Sequence, residues 1–142
     1  MNCFRHLAFS SLLAISISGA SQAISSELYC LVSAKVTTSM PEQAGYFIRY
    51  TDEQLSQSQF SVVIRDRGDA GSEVGRCSFE AGAGRVTCDF YKVDFVARDA
   101  FVGHLKYYYL QGQFDVQVLA SGDFIENNGR GSIATGKCEK RY

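Results

Sequence analysis

Cys77-Ser78-Phe79-Glu80-Ala81-Gly82-Ala83-Gly84-Arg85-Val86-Thr87-Cys88 is a hairpin written out in residues. Two short runs with a period of two flank a glycine-rich centre, and glycine supplies the positive φ that a tight turn needs. A loop of Ala81 to Gly84 pairs Glu80 with Arg85, Phe79 with Val86 and Cys77 with Cys88. That register sets carboxylate against guanidinium and sulfur against sulfur, with the cysteines in a non-hydrogen-bonded pair, where side chains come closest. A two-residue loop at Gly82-Ala83 keeps the same partners but puts the cysteines in the wider, hydrogen-bonded pair.

The same period recurs on both sides. Leu28, Cys30, Val32, Ala34 and Val36 alternate with residues that include Glu27, Ser33, Lys35 and Thr37, and further alternation runs through Phe60/Val62/Ile64, Leu105/Tyr107/Tyr109 and Phe114/Val116/Val118/Ala120. Phe124 to Glu126 and Ser132 to Cys138 read as two more short strands. Turn residues separate these segments at Arg67-Gly68-Asp69-Ala70-Gly71, Gln111-Gly112, Ser121-Gly122-Asp123 and Asn127-Asn128-Gly129-Arg130-Gly131. Strands of this spacing predict an all-β domain: a small antiparallel β-barrel or sandwich of about eight strands in meander order.

Two stretches depart from the pattern. Val86, Cys88 and Phe90 share one face, but Tyr91, Val93, Phe95 and Ala97 share the other, which predicts a bulge near Tyr91-Lys92. Between residues 39 and 57, Met40, Ala44, Phe47, Ile48 and Leu55 fall at helical spacing behind a Ser39/Glu42 capping box, while Tyr46, Ile48 and Tyr50 alternate. A helical turn or two at one or both ends of this stretch, with a strand between, is expected.

Residues 1–23 set the compartment. Arg5 and His6 precede an apolar run from Leu7 to Ile17, and small residues end in Ser21-Gln22-Ala23, the anatomy of a cleaved signal peptide. Ser18-Gly19-Ala20 offers a second cleavage site. The run is about half of the ~20 apolar residues a spanning helix needs, so no membrane span is expected, and residues 24–142 form a single disulfide-stapled β-domain. An exported chain, periplasmic or extracellular, oxidises its thiols. Cys3 leaves with the leader, so Cys77-Cys88 is joined by Cys30-Cys138, a bridge between the first and last strands that would close the sheet.

Charge and composition exclude several classes. Fourteen Lys and Arg stand interspersed among fifteen Asp and Glu, which is not the basic stripe that nucleic acid requires. His104 is the one histidine beyond the leader, so no two-histidine metal site exists, and its sequence neighbours offer no triad. Gly82-Ala83-Gly84 lacks the third glycine and the helix of a dinucleotide fingerprint. Arg67-Gly68-Asp69 spells an adhesive tripeptide, but these are common turn residues. No cofactor, metal or catalytic residue is expected.

What remains is surface. Lys106-Tyr107-Tyr108-Tyr109 puts two tyrosines on one face and Lys106 with Tyr108 on the other, and one of these faces must be core. The exposed face, with Asn127, Asn128 and Arg130 on their tight turn, is the candidate contact for a partner. The expected function is that of a non-enzymatic binding module for an exported protein or envelope component, inhibitor-like or immunity-like. The alternatives are a small-ligand-binding β-barrel carrier and a small carboxylate-based hydrolase.

Overall fold

The structure is a computed structural model and describes residues 26–38 and 47–141. The expected signal peptide at 1–23 and the expected Ser39/Glu42 cap lie outside these residues. One antiparallel sheet, curled into a half-barrel, contains strands β1 (Ser26–Thr38), β2 (Phe47–Arg49), β3 (Ser61–Asp66), β4 (Ser72–Glu80), β5 (Arg85–Lys92), β6 (Phe95–Arg98), β7 (Leu105–Tyr109), β8 (Phe114–Val118), β9 (Asp123–Asn127) and β10 (Ser132–Arg141). The all-β reading therefore holds.

The spatial order is β5-β4-β3-β1-β10-β9-β8-β7-β6, with β2 added against the end of β1. First and last strands pair along ten residue positions in the middle of the sheet, with Cys30 opposite Cys138. Their disulfide staples two meanders, β3 to β5 and β6 to β10, at the centre. It does not close a barrel, because the free edges are β5 and β6, which follow one another in the chain. The second disulfide joins Cys77 to Cys88 in the register expected from the hairpin, and a Cα separation of 4.0 Å suits the narrow, non-hydrogen-bonded pair.

The phase change after Phe90 is not a bulge within one pair of strands. The chain leaves β4 after Lys92 and joins β7 at Phe95, and Val93-Asp94 spans the two edges. The phase change itself lies within the unbroken β4/β5 register, where Phe90 faces outward opposite Gly75 and Tyr91 faces the core opposite Val74.

Helix α1 (Asp52–Ser58) follows β2 and packs against β1 and β4. Thr51 caps it: the Thr51 hydroxyl accepts from Gln54 N–H at 3.2 Å and the Gln54 side chain accepts from Thr51 N–H at 2.9 Å. Of the elements expected between residues 39 and 57, the strand and the helical turn that follows it are present among the described residues, the helix on a cap three residues before Gln54.

The concave face holds the core. Cys30, Val32, Val62, Ile64, Val74, Val93, Tyr107, Phe114, Val116, Val118, Phe124 and Ala134 form one buried cluster, of which Phe124 is the largest fully buried member. Burying a side chain of this size contributes about 1.5–3 kcal/mol. Gly136 makes room for it: a Cβ there would stand 2.9 Å from the Phe124 ring and 1.9 Å from the carbonyl oxygen of Leu31.

Candidate functional site

At one end of the half-barrel the concave face turns polar, for two local reasons. Ser33 is an extra residue in β1 at the register shift between Val32 and Ala34, so Lys35 turns onto the concave face opposite the buried Ala134. Strict alternation had set Lys35 on the outer face, with Ala34 and Val36 inside. In the β4/β5 hairpin it is Arg76, Ser78, Thr87 and Asp89 that share the core's face, whereas Phe79, Val86 and Phe90 lie outward and partly exposed. The apolar stripe of β5 thus belongs to the convex side.

Arg76 from β4 reaches across the concavity to Glu126 on β9, and the Arg76 Nε donates to Glu126 Oε1. Glu126 is buried, 6% exposed, so this pairing offsets the cost of its desolvation. Lys35 stands nearby with Nζ 3.5 Å from the Phe60 ring centroid. Its ammonium titrates below the ordinary lysine value because burial penalises the charge; Glu126 raises it and Arg76 lowers it further. The floor is aromatic: Tyr91, Tyr109 and Phe114 meet pairwise at centroid separations of 5.1, 5.5 and 5.2 Å.

Two adjoining cavities open here. One, of about 190 Å³, includes Lys35, Phe60, Asp89 and Glu126 in its lining; the other, of about 300 Å³, includes Tyr109, Gln111, Asn128 and Arg130. Arg76 and Tyr91 line both. The loop carrying Arg130 is rigidly seated: Gly129 has φ +67° and a Cβ on it would meet the Gln113 carbonyl oxygen at 2.1 Å. Asn127 Oδ1 accepts from Gly129 N–H, and Asn128 Oδ1 accepts from both Arg130 N–H and Ser132 N–H.

The residues singled out in the sequence separate into four groups. Tyr109, Asn128 and Arg130 come together in the mouth just described. Lys106 and Tyr108 lie on the convex face, where Lys106 pairs with Asp115 at 3.1 Å and Tyr108 stacks on Phe95 at 4.4 Å. Tyr107 belongs to the core, 7% exposed, and is withdrawn as a contact residue; burial pushes its phenol up. Asn127 caps its own turn. Lys35 escaped notice because of a bulge, and Arg76 and Tyr91 because of an inverted hairpin, both invisible to alternation; Glu126 shares the inward face of β9 with Phe124.

At the opposite end of β7 the β6–β7 loop forms a second feature. Asp99 Oδ1 accepts from Phe101 N–H at 2.8 Å and Val102 N–H at 3.0 Å, and Gly103 N–H donates to the Asp99 carbonyl. The bonds from Val102 and Phe101 hold the Asp99 carboxyl below its ordinary value, with a smaller contribution from His104. Phe101 stands at the tip, 99% exposed.

Among the described residues no three His, Cys, Asp or Glu gather to hold a metal ion, and no helix is long and apolar enough to cross a membrane. Arg67 of the Arg67-Gly68-Asp69 turn is bound to Glu73 at 2.8 Å. Two formed disulfides belong to an oxidising, exported compartment. No family model, curated protein or solved structure matches the chain.

Proposed function

We propose that the mature chain is an exported, non-enzymatic binding module that engages a protein partner through its β6–β7 hairpin, in the manner of an inhibitor or immunity protein. The observation that carries this reading is Phe101, a fully exposed phenylalanine on a loop whose backbone is held by Asp99. An aromatic presented on an ordered turn loses little entropy when it enters a partner's pocket, the property of an anchor residue. Phe95, stacked on Tyr108, extends apolar surface along the same hairpin, and β6 is an edge strand whose four residues are all exposed. A carrier of an apolar molecule fits less well, because Phe124, Val116 and Val62 fill the apolar part of the concavity.

The test is site-specific photocrosslinking of the mature, oxidised protein in envelope extract. A probe at position 101 should capture one discrete adduct, competed by unlabelled protein and not by its Phe101→Ser variant. A probe at Glu139, on β10, should capture none. Equal labelling from both positions, or undiminished competition by Phe101→Ser, would overturn the proposal.

A further inference from the structure

The polar mouth carries more positive charge than its own acids neutralise. Glu126 is occupied by Arg76. Lys35 and Arg130 make no ion pair among the described residues, and the remaining acid in the lining, Asp89, is exposed on the edge strand β5 opposite Arg76. Those are the charged groups that β1, β4, β5, β9 and the β9–β10 loop direct here.

The neutral polar groups tell the same story. Asn128 spends its carbonyl oxygen on Arg130 N–H and Ser132 N–H, and Gln111 spends its own on the Tyr109 hydroxyl at 3.1 Å. Each amide is left with its NH₂ donors. Guanidinium and amide donors thus face the larger cavity, whose amide oxygens are already engaged, above a tyrosine wall, and the Lys35 ammonium lines the adjoining one.

We propose that this mouth binds a small organic anion of about monosaccharide size, its carboxylate met by Arg130 and Arg76 and its flatter face laid on Tyr91 and Tyr109. A carboxylate is what a planar guanidinium holds with two parallel bonds, and hydroxyls beside it would accept from Gln111 and Asn128. A cavity of about 300 Å³ lies at the small end of the range for specific small-molecule sites. The site is separate from the Phe101 loop, at the other end of β7, and either can fail without the other.

The experiment is an amide-resolved NMR titration of the mature, oxidised protein with D-glucuronate, D-glucose and inorganic phosphate, each to about 10 mM, the range for weak single-site binding. Glucuronate should give saturable shifts at Tyr91, Tyr109, Gln111 and Asn128, and glucose, lacking the carboxylate, should bind about tenfold more weakly. Arg130→Ala leaves the Arg76–Glu126 pair intact, keeps the spectrum of the folded protein and should weaken glucuronate about tenfold; Lys106→Ala on the convex face should change nothing. Glucose binding as well as glucuronate, no saturable shift with glucuronate, or a folded Arg130→Ala variant of unchanged affinity would overturn the proposal. Phosphate binding as tightly as glucuronate, with no shift at the tyrosines, would assign the mouth to inorganic anions and overturn the organic one.

Discussion

Val93 and Asp94 are neighbours in the chain yet hydrogen-bond to opposite flanks of the sheet: Val93 N–H donates to the Ser72 carbonyl at 2.9 Å and Asp94 N–H to the Tyr108 carbonyl at 2.8 Å. Asp94 also accepts from Leu110 N–H through its carboxylate at 2.7 Å. These bonds draw β4 and β7 together at one point of an otherwise open half-barrel. Tyr91 is thereby brought against Tyr109 and Phe114, so the aromatic wall of the mouth depends on this crossing.

Val93→Pro tests that dependence. Proline has no N–H for Ser72 and leaves a carbonyl unpaired beside a buried position, so stability should fall by about 2–3 kcal/mol. Urea unfolding measures the loss, and amide exchange in β6 should accelerate. A loss below about 0.5 kcal/mol, the level of an ordinary surface substitution, would mean that the crossing does not tie the sheet.

The two disulfides should contribute unequally. Cys30–Cys138 encloses a sequence separation of 108 residues and Cys77–Cys88 one of 11. Loop-closure entropy in the unfolded chain assigns about 4–5 kcal/mol to the first and about 3 kcal/mol to the second. Paired Cys→Ala variants compared by urea unfolding should keep that order, and the short-loop variant proving the less stable would refute the entropic account.

The Cys77 to Cys88 hairpin was legible because three local signals agree: a glycine-rich turn, an alternating pattern and a charge pair, each demanding the same register. Pairing of the first and last strands followed from the two cysteines left over. The mouth was not legible, since a period of two says which residues share a face and not which face looks inward. One extra residue at Ser33 reversed Lys35, and the apolar stripe of Val86 and Phe90 went outward because Phe90 lies over Gly75, under the Arg65 guanidinium, 3.9 Å from its ring centroid. The phase shift at Phe90-Tyr91 marks where the apolar residues of β5 pass from the outer face to the core within one unbroken register, and a bulge would leave the same trace in the sequence.

Lys35 makes stability depend on alkaline pH. Its folded pKa lies below the ordinary lysine value of 10.5 because its charge is desolvated, so between the two values the unfolded chain binds more protons than the folded one. Stability rises with pH across that window, since the cost of burying the charge is present below the folded pKa and disappears as the ammonium deprotonates. In Lys35→Met this contribution is gone. Wild type should therefore gain stability relative to the variant as pH is raised towards 10.5, by urea unfolding at a series of pH values; parallel profiles would show that Lys35 ionises as a solvated lysine.

Asp99 gives the Phe101 loop a dependence of the same sign at the acid end of the range. Its folded pKa lies below 3.8 because Val102 and Phe101 N–H groups bond the charged carboxylate, so the loop's order is fully present above that value and is lost as pH falls through the folded pKa. Asp99→Ala should mimic the acid state at neutral pH. Exchange of the Phe101 and Val102 amides should accelerate about tenfold or more while strands β7 and β8 keep their protection, the pattern of local opening and not of global unfolding. Because Phe101 would then sample many orientations before docking, Asp99→Ala should also reduce crosslinking from position 101, although residue 101 itself is unchanged in it. Unaltered amide exchange in the variant would show that the loop is ordered by something other than this carboxylate, and would remove the preorganisation on which the anchor role of Phe101 rests.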